Sequence, residues 1–269
     1  MTPPLYLVGV LPEGEHGELT GPEGRHAVTV RRTRAGELLL LGDGRGGLAT
    51  AEVISVGRDA LELRVLARRR VPRPRPAVTL AQALVKGERG ELAVELATEA
   101  GVDGVLPWRA ARCVARWDDG PRGAKALARW RSTVLAAAKQ SRRAWLPEVG
   151  EPVDTEALGR RCAAAGGLTL LLHESAETPL RSVLAGAGLC VGPGGAGSGG
   201  ADSGGAAPDE VLLVVGPEGG VTEDERDRLV AAGARVVRLG PQVLRASTAA
   251  AVALGAIGVL TDRWSGHTE

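Results

Sequence analysis

The chain has 269 residues, enough for one large domain or two smaller ones with a real core. Hydrophobic residues make up 44% but aromatics only 2%, with no Phe. The core must therefore be aliphatic, and nucleic-acid contacts that depend on stacked rings have little to draw on. The net charge of +1 conceals a split: residues 1–149 carry 24 Lys and Arg against 17 Asp and Glu, while residues 150–269 carry 9 against 15. Such a split directs the first half toward a polyanion and leaves the second half for other work.

Residues 5–70 read as short strands of a small antiparallel sheet or barrel: Leu38 to Leu41, Leu48 to Val56 and Ala60 to Leu66 are separated by Gly and Asp turns. Arg68 to Pro76, with its alternating prolines, reads as a stiff linker, placing a boundary between a first domain, 1–71, and a second, 72–269. Beyond it strands alternate with helices: Ala77 to Ala83 as strand, Glu88 to Ala100 as helix, Val105-Leu106 as strand. Lys125 to Trp145 follows as a long helix with Leu127, Trp130, Val134, Ala138 and Trp145 on one face. Leu168 to Leu172 and Val211 to Val215 have the length and apolarity of buried strands, so the second domain is predicted to be α/β with a mostly parallel sheet. Between them, residues 185–208 are almost wholly Gly, Ala, Ser and Pro and read as a disordered insertion.

Cys113, Cys162 and Cys190 are far apart and the four histidines are scattered, so neither a disulfide framework nor a metal site is expected. No N-terminal stretch reads as a secretion signal and no apolar run is long enough to span a membrane; a cytoplasmic location is the expectation.

Two stretches match G-x-G-x-x-G. Gly42, Gly44 and Gly47 precede a strand and so form a hairpin turn; Gly195, Gly197 and Gly200 lie in the low-complexity insertion. Neither opens a helix, as dinucleotide binding would need. Gly216-Pro217-Glu218-Gly219-Gly220 differs. It follows a buried strand and precedes Thr222 and Glu225, a capping box that starts a helix. Acidic residues in that first turn suit the helix dipole but repel phosphate, so a neutral or cationic ligand fits better. Read alone, the loop is equally a ligand-gripping turn and a plain strand-to-helix turn. The next unit repeats the arrangement: Val236 to Leu239 as strand, Gly240-Pro241 as turn, Arg245 to Leu260 as helix. Leu171-Leu172-His173-Glu174 is a third strand end. Ligands of open α/β sheets bind at such ends.

The combination of Leu-Val-Val-Gly-Pro-Glu-Gly-Gly, then Leu239-Gly240-Pro241 with Val243-Leu244-Arg245, then Thr248-Ala249, resembles the RsmE-type enzymes. These are SPOUT-class methyltransferases that modify N3 of a uridine in small-subunit ribosomal RNA. Lys86-Gly87-Glu88-Arg89, Ala97 to Val102, Arg112-Cys113-Val114 and Ala137 to Arg142 fall in the family's order, and Gly21 to Arg34 with Gly36 to Gly44 resemble its PUA-like barrel. The resemblance implies a trefoil-knotted SPOUT domain after a small PUA-like β-barrel, S-adenosylmethionine as cofactor, 16S ribosomal RNA as substrate, and a homodimer. Two departures stand out: Ser247 occupies a position where the family commonly has Glu, and Arg31-Arg32 follow His26 and Val30 where Leu-Arg is usual.

The expected cofactor grip comes from Leu171, Leu172 and His173 at one strand end and Gly216, Pro217, Glu218 and Gly220 at the second. Leu239, Gly240, Val243, Leu244, Arg245 and Thr248 complete it at the third. Uridine N3 bears a proton, so transfer needs that proton removed and the resulting charge stabilised. Arg245 is the candidate cation and Glu218 the candidate base. Arg25, His26, Arg31 and Arg32 of the first domain and Arg112, Arg142 and Arg143 of the second are the expected RNA contacts. Three rival readings remain: a SPOUT enzyme acting on ribose, one acting on transfer RNA, and a non-catalytic RNA-binding assembly factor.

Overall fold

The computed structural model describes residues 2–163, 166–191 and 207–265. The chain divides into two units: one runs up to Arg73 and takes back Leu135–Leu146, the other comprises Pro74–Val134 and the chain from Pro147 onward.

The first unit holds a five-stranded sheet of β1 (Leu5–Leu7), β2 (His16–Leu19), β3 (Leu38–Gly42), β4 (Gly47–Val56) and β5 (Leu61–Arg70), ordered β1-β3-β4-β5-β2. All pairs are antiparallel except β1 with β3. Leu61, Leu63 and Val65 point inward while Glu62, Arg64 and Leu66 face out, the two-residue period of a half-buried strand. The turn Asp43 to Gly46 joins β3 to β4, so the first glycine motif is a hairpin turn; the second lies outside the described residues.

The structure corrects the strand-only reading of this region. A short helix α1 (Gly21–Arg25), started by Pro22, runs into a π-helical stretch His26–Val30 that buries Ala27. It also corrects the linker. Arg68, Arg69 and Arg70 are the last rungs of β5, paired with Gly47 to Ala49, because arginine keeps the backbone donor that proline lacks; the break comes only at Pro72. At Gly46, φ is +96° and an added Cβ would lie 2.7 Å from both Trp145 and the Val71 carbonyl, so only glycine fits.

The second unit contains β6 (Ala77–Ala83), α2 (Arg89–Glu99), β7 (Gly104–Trp108), α3 (Pro121–Gln140), β8 (Glu148–Val149) and α4 (Thr155–Cys162). There follow β9 (Gly167–Leu172), α5 (Leu180–Gly186), β10 (Glu210–Val215), α6 (Glu223–Ala231), β11 (Arg235–Val237) and α7 (Ala246–Leu260). The last turns of α3, from Leu135, belong to the first unit. The helix begins at Pro121, a natural first position, and ends at Gln140, so Trp145 is not on it as the helical spacing predicts. Trp145 instead donates its indole N–H to the Val71 carbonyl at 2.9 Å. Residues 185 and 186 complete α5, and Leu189 is buried. The insertion therefore does not begin at 185; residues 192–206 lie outside the described residues.

The six strands form one parallel sheet ordered β11-β9-β10-β6-β7-β8. Val211 to Val215 are all buried, as a central strand covered on both faces requires. One face packs Leu80, Val94, Trp130, Leu213, Ala250 and Ile257; the other packs Ala81, Leu158, Leu171, Leu212, Val214 and Leu229. The strand order changes direction between β10 and β6, and the crevice beyond the carboxyl ends at such a point is where ligands of open α/β sheets bind.

The turn after α7 is fixed by a buried ion pair. Arg263 Nη1 lies 2.8 Å from Asp103 Oδ2, the same oxygen accepts from the Val78 N–H at 2.8 Å, and the guanidinium also donates to the carbonyls of Pro76 and Gly101. Removing one partner strands the other charge in the interior. Arg263→Ala should therefore cost about 3–5 kcal/mol in urea unfolding; a loss below about 1 kcal/mol would show the pair to be dispensable.

Candidate active site

Register decides where the site forms. Leu172 pairs with Val215 across β9 and β10, and with Val237 across β9 and β11, so three strands end level at one edge of the sheet. The three loops leaving them enclose a cleft of about 840 Å³, within the usual size of small-molecule sites.

The first loop is Gly216 to Gly220. A Cβ on Gly216 would meet Val221 Cγ2 at 2.6 Å; Gly220 has φ +75° and donates to the Pro217 carbonyl at 2.9 Å. Thr222 and Glu225 form the predicted capping box of α6, whose first turn carries Glu223, Asp224 and Glu225. The second loop begins at His173, whose N–H donates to Val237 O at 3.0 Å. His173 Nδ1 accepts from the Ser175 N–H at 3.2 Å. A backbone N–H can only donate, so the neutral ring carries its proton on Nε2. The third loop runs from Arg238 to Arg245, the N-cap residue of α7, whose carbonyl accepts from the Thr248 and Ala249 N–H groups at 3.0 Å.

Leu172, His173, Gly216, Pro217, Glu218 and Gly220 line the cleft, as do Leu239, Gly240, Val243, Leu244 and Arg245. Two expected cofactor residues stand back from it. Leu171 is wholly buried on the opposite face of β9, one residue out of phase with Leu172, and Thr248 turns its hydroxyl to the Arg245 carbonyl at 3.2 Å. Ser247, in the position of the family's usual Glu, is only 4% exposed.

Of the expected RNA contacts, Arg25, His26, Arg31 and Arg32 are exposed on the helical stretch of the first unit. Arg25 reaches Asp59 at 3.5 Å, the His26 ring meets Tyr6 edge-on, and Arg32 holds φ +54°. Arg142 and Arg143 also fall in the first unit, with donors engaged by the carbonyls of Pro3 and Trp145 at 2.8 and 3.2 Å. Arg112 instead lines the cleft, donating to Gly219 O at 3.1 Å.

Arg226, Arg238, Ser175 and Gln242 line the cleft without having been marked by the motifs, and Arg89, part of the Lys86–Arg89 motif but given no role there, lines it too. Arg89 approaches Glu218 to 4.0 Å. Its signal was in the sequence: it follows Lys86-Gly87 just past the end of β6, a fourth strand end at the same edge. Among the described residues no group of three or more His, Cys, Asp or Glu is placed to hold a metal ion.

Cys113 follows Arg112 in the chain, and its thiol is pushed up to about 11, first by burial and then by the Glu225 and Glu218 carboxylates. A thiol in that state is a poor nucleophile. Iodoacetamide at pH 8 should label Cys113 in the folded protein roughly a hundredfold more slowly than in unfolded chain; equal rates would show the thiol to be ordinary.

A family model described as an RNA methyltransferase domain matches residues 72–258, and one described as an RNA methyltransferase PUA domain matches residues 19–66. The ribosomal RNA small subunit methyltransferase E of Mycobacterium bovis is 51% identical over 264 residues, covering 97% of this chain and 93% of its own. The enzyme of that name from Neisseria gonorrhoeae, solved bound to S-adenosylmethionine, aligns with TM-score 0.77 at 26% identity over 97% of this chain and 98% of its own. A methyltransferase of Legionella pneumophila, solved with the same cofactor bound, aligns with TM-score 0.76 at 29% identity over 96% of this chain and 97% of its own.

Proposed function

The chain belongs to the RNA methyltransferase family whose catalytic domain follows a PUA domain, and from that premise we propose that it methylates N3 of a uridine in 16S ribosomal RNA. It is an S-adenosylmethionine-dependent ribosomal RNA methyltransferase with a SPOUT-type α/β domain. The observation that carries the reading is the cleft at the level ends of β9, β10 and β11.

The residues present fit the cofactor. Gly216 and Gly220 let the backbone approach a ligand closely, and Leu172, Leu239 and Leu244 offer apolar surface to an adenine. Glu223, in the first turn of α6, and Glu218 line the cleft and disfavour a phosphate but favour a cation, and S-adenosylmethionine carries a sulfonium and no phosphate. When bound, the cofactor supplies the electrophilic methyl group.

The chain's own part is orientation and charge. Arg245 lines the cleft from the N-cap of α7, and a guanidinium there stabilises negative charge developing on the uracil oxygens beside N3. Glu218, next to Arg89 on the glycine loop, is the group to accept or position the N3 proton. The exposed arginines of the first unit suit phosphate contacts. A homodimer is favoured by the exposed apolar residues beside the cleft and along α7, among them Val243 at 78% and Val259 at 68% exposure. Action on ribosomal RNA points to the cytoplasm, and no described helix is long and apolar enough to cross a membrane.

Calorimetric titration with S-adenosylmethionine should show binding, and incubation with 16S ribosomal RNA should yield 3-methyluridine by nucleoside mass spectrometry. A ribose-methylated product would favour another SPOUT specificity, and absence of cofactor binding would favour an RNA-binding assembly factor. Arg245→Ala should lower turnover about a hundredfold while cofactor affinity changes little; unchanged turnover would remove the cation role.

A further inference from the structure

Glu225 is a carboxylate only 4% exposed, and the chemistry above does not use it. It receives more than a helix cap needs. Oε2 accepts from the Thr222 N–H at 3.2 Å, one half of the capping box, and from the Thr222 hydroxyl at 3.0 Å. Oε1 accepts from the Ala111 N–H at 2.8 Å and the Thr155 hydroxyl at 2.8 Å, and that hydroxyl accepts from the Trp108 indole at 3.2 Å. One carboxylate thus joins the start of α6, the start of α4 and the segment leaving β7.

The Ala111 bond fixes the backbone immediately before Arg112. Arg112 in turn lies against the glycine loop: its Nη1 donates to Gly219 O at 3.1 Å, and a Cβ on Gly219 would stand 3.1 Å from Arg112 Cβ and 3.3 Å from its carbonyl oxygen. Gly219 is therefore a contact point with this segment, and Arg112 adds a fourth wall to the cleft. One donor of the guanidinium is used on Gly219, and the group lines the cleft with the others.

We propose that Glu225 is a positioning residue that holds Arg112 over the Gly216–Gly220 loop, and that Arg112 contacts the target nucleotide rather than the cofactor. The inference rests on the cleft being the methyl-transfer site. The reactive end of the cofactor is a cation and repels a guanidinium, whereas the target offers phosphate oxygens and uracil carbonyls that accept from one. The carboxylate acts through geometry: four donors converge on it, so an amide at 225 turns an N–H₂ toward an N–H on one side or the other and loosens one wall.

The test is a double-mutant cycle on the full chain, with kcat and KM measured for 16S ribosomal RNA and cofactor Kd measured by calorimetry. Arg112→Ala and Glu225→Gln should each lower kcat/KM for RNA roughly tenfold or more, with cofactor Kd within about threefold of the parent. The double variant should be no worse than the poorer single, since Glu225 acts only through Arg112. Multiplying effects would overturn the coupling, and an equal loss of cofactor affinity would overturn the assignment of Arg112 to RNA. If Glu225→Gln does not fold, Thr155→Val removes one donor from the same carboxylate and completes the cycle with Arg112→Ala on the same criteria. A parent protein that neither binds cofactor nor methylates RNA would instead refute the methyl-transfer site itself.

Discussion

The parallel register of β11, β9 and β10 is the constraint on which the cleft depends. A slip of one residue in any pairing would reverse the inward and outward side chains and stagger the strand ends. With Leu172 level with both Val215 and Val237, three loops begin at one height. Their backbones can then face each other across a gap without long excursions. The register is held by apolar packing on both faces of the sheet, so stability and site geometry share one cause.

Charges of both signs meet at the cleft. Glu223 in the first turn of α6 and Glu218 on the glycine loop line it, which suits both the helix dipole and a cationic ligand. Arg89, Arg112, Arg238 and Arg245 line the same cleft. A site that must receive a sulfonium and a polyanionic RNA needs both signs close together, and here Arg89 lies 4.0 Å from Glu218 while Arg226 shares α6 with Glu223. Glu225 takes part in neither sign's display: its carboxylate is buried and fully engaged by neutral donors, and its effect is on where the walls stand.

Much of this was legible because it is local. The capping box of Thr222 and Glu225, the buried strands at 168–172 and 211–215, and the hairpin turn at Gly42 to Gly47 are each specified by a few adjacent residues. The family motifs marked most of the cleft lining. What escaped depends on distance. Trp145 fits the helical period of α3, yet the helix stops at Gln140 and the indole finds the Val71 carbonyl, a partner 74 residues away. Residues 135–146 belong to the first unit, a return of the chain that linear reading cannot express. Arg112 was marked as basic but its place over Gly219 was not, because residues 107 positions apart meet there. Leu171 was taken with Leu172 although alternation along a strand sends neighbours to opposite faces.

Ser247 bears on the chemistry most directly. It sits in the first turn of α7, buried, at the position where the sequence resemblance predicts a carboxylate. An alcohol is far too weak a base at neutral pH to take a proton from a ring nitrogen, and burial denies it the solvent that would help it ionise. In the proposed mechanism that work falls to other cleft residues: Glu218 stands on the opposite loop, and cleft arginines would lower the cost of a uracil anion so that less basicity is needed from any acceptor. A guanidinium stays charged across the whole accessible pH range. In the proposed mechanism the cation side is therefore constant with pH.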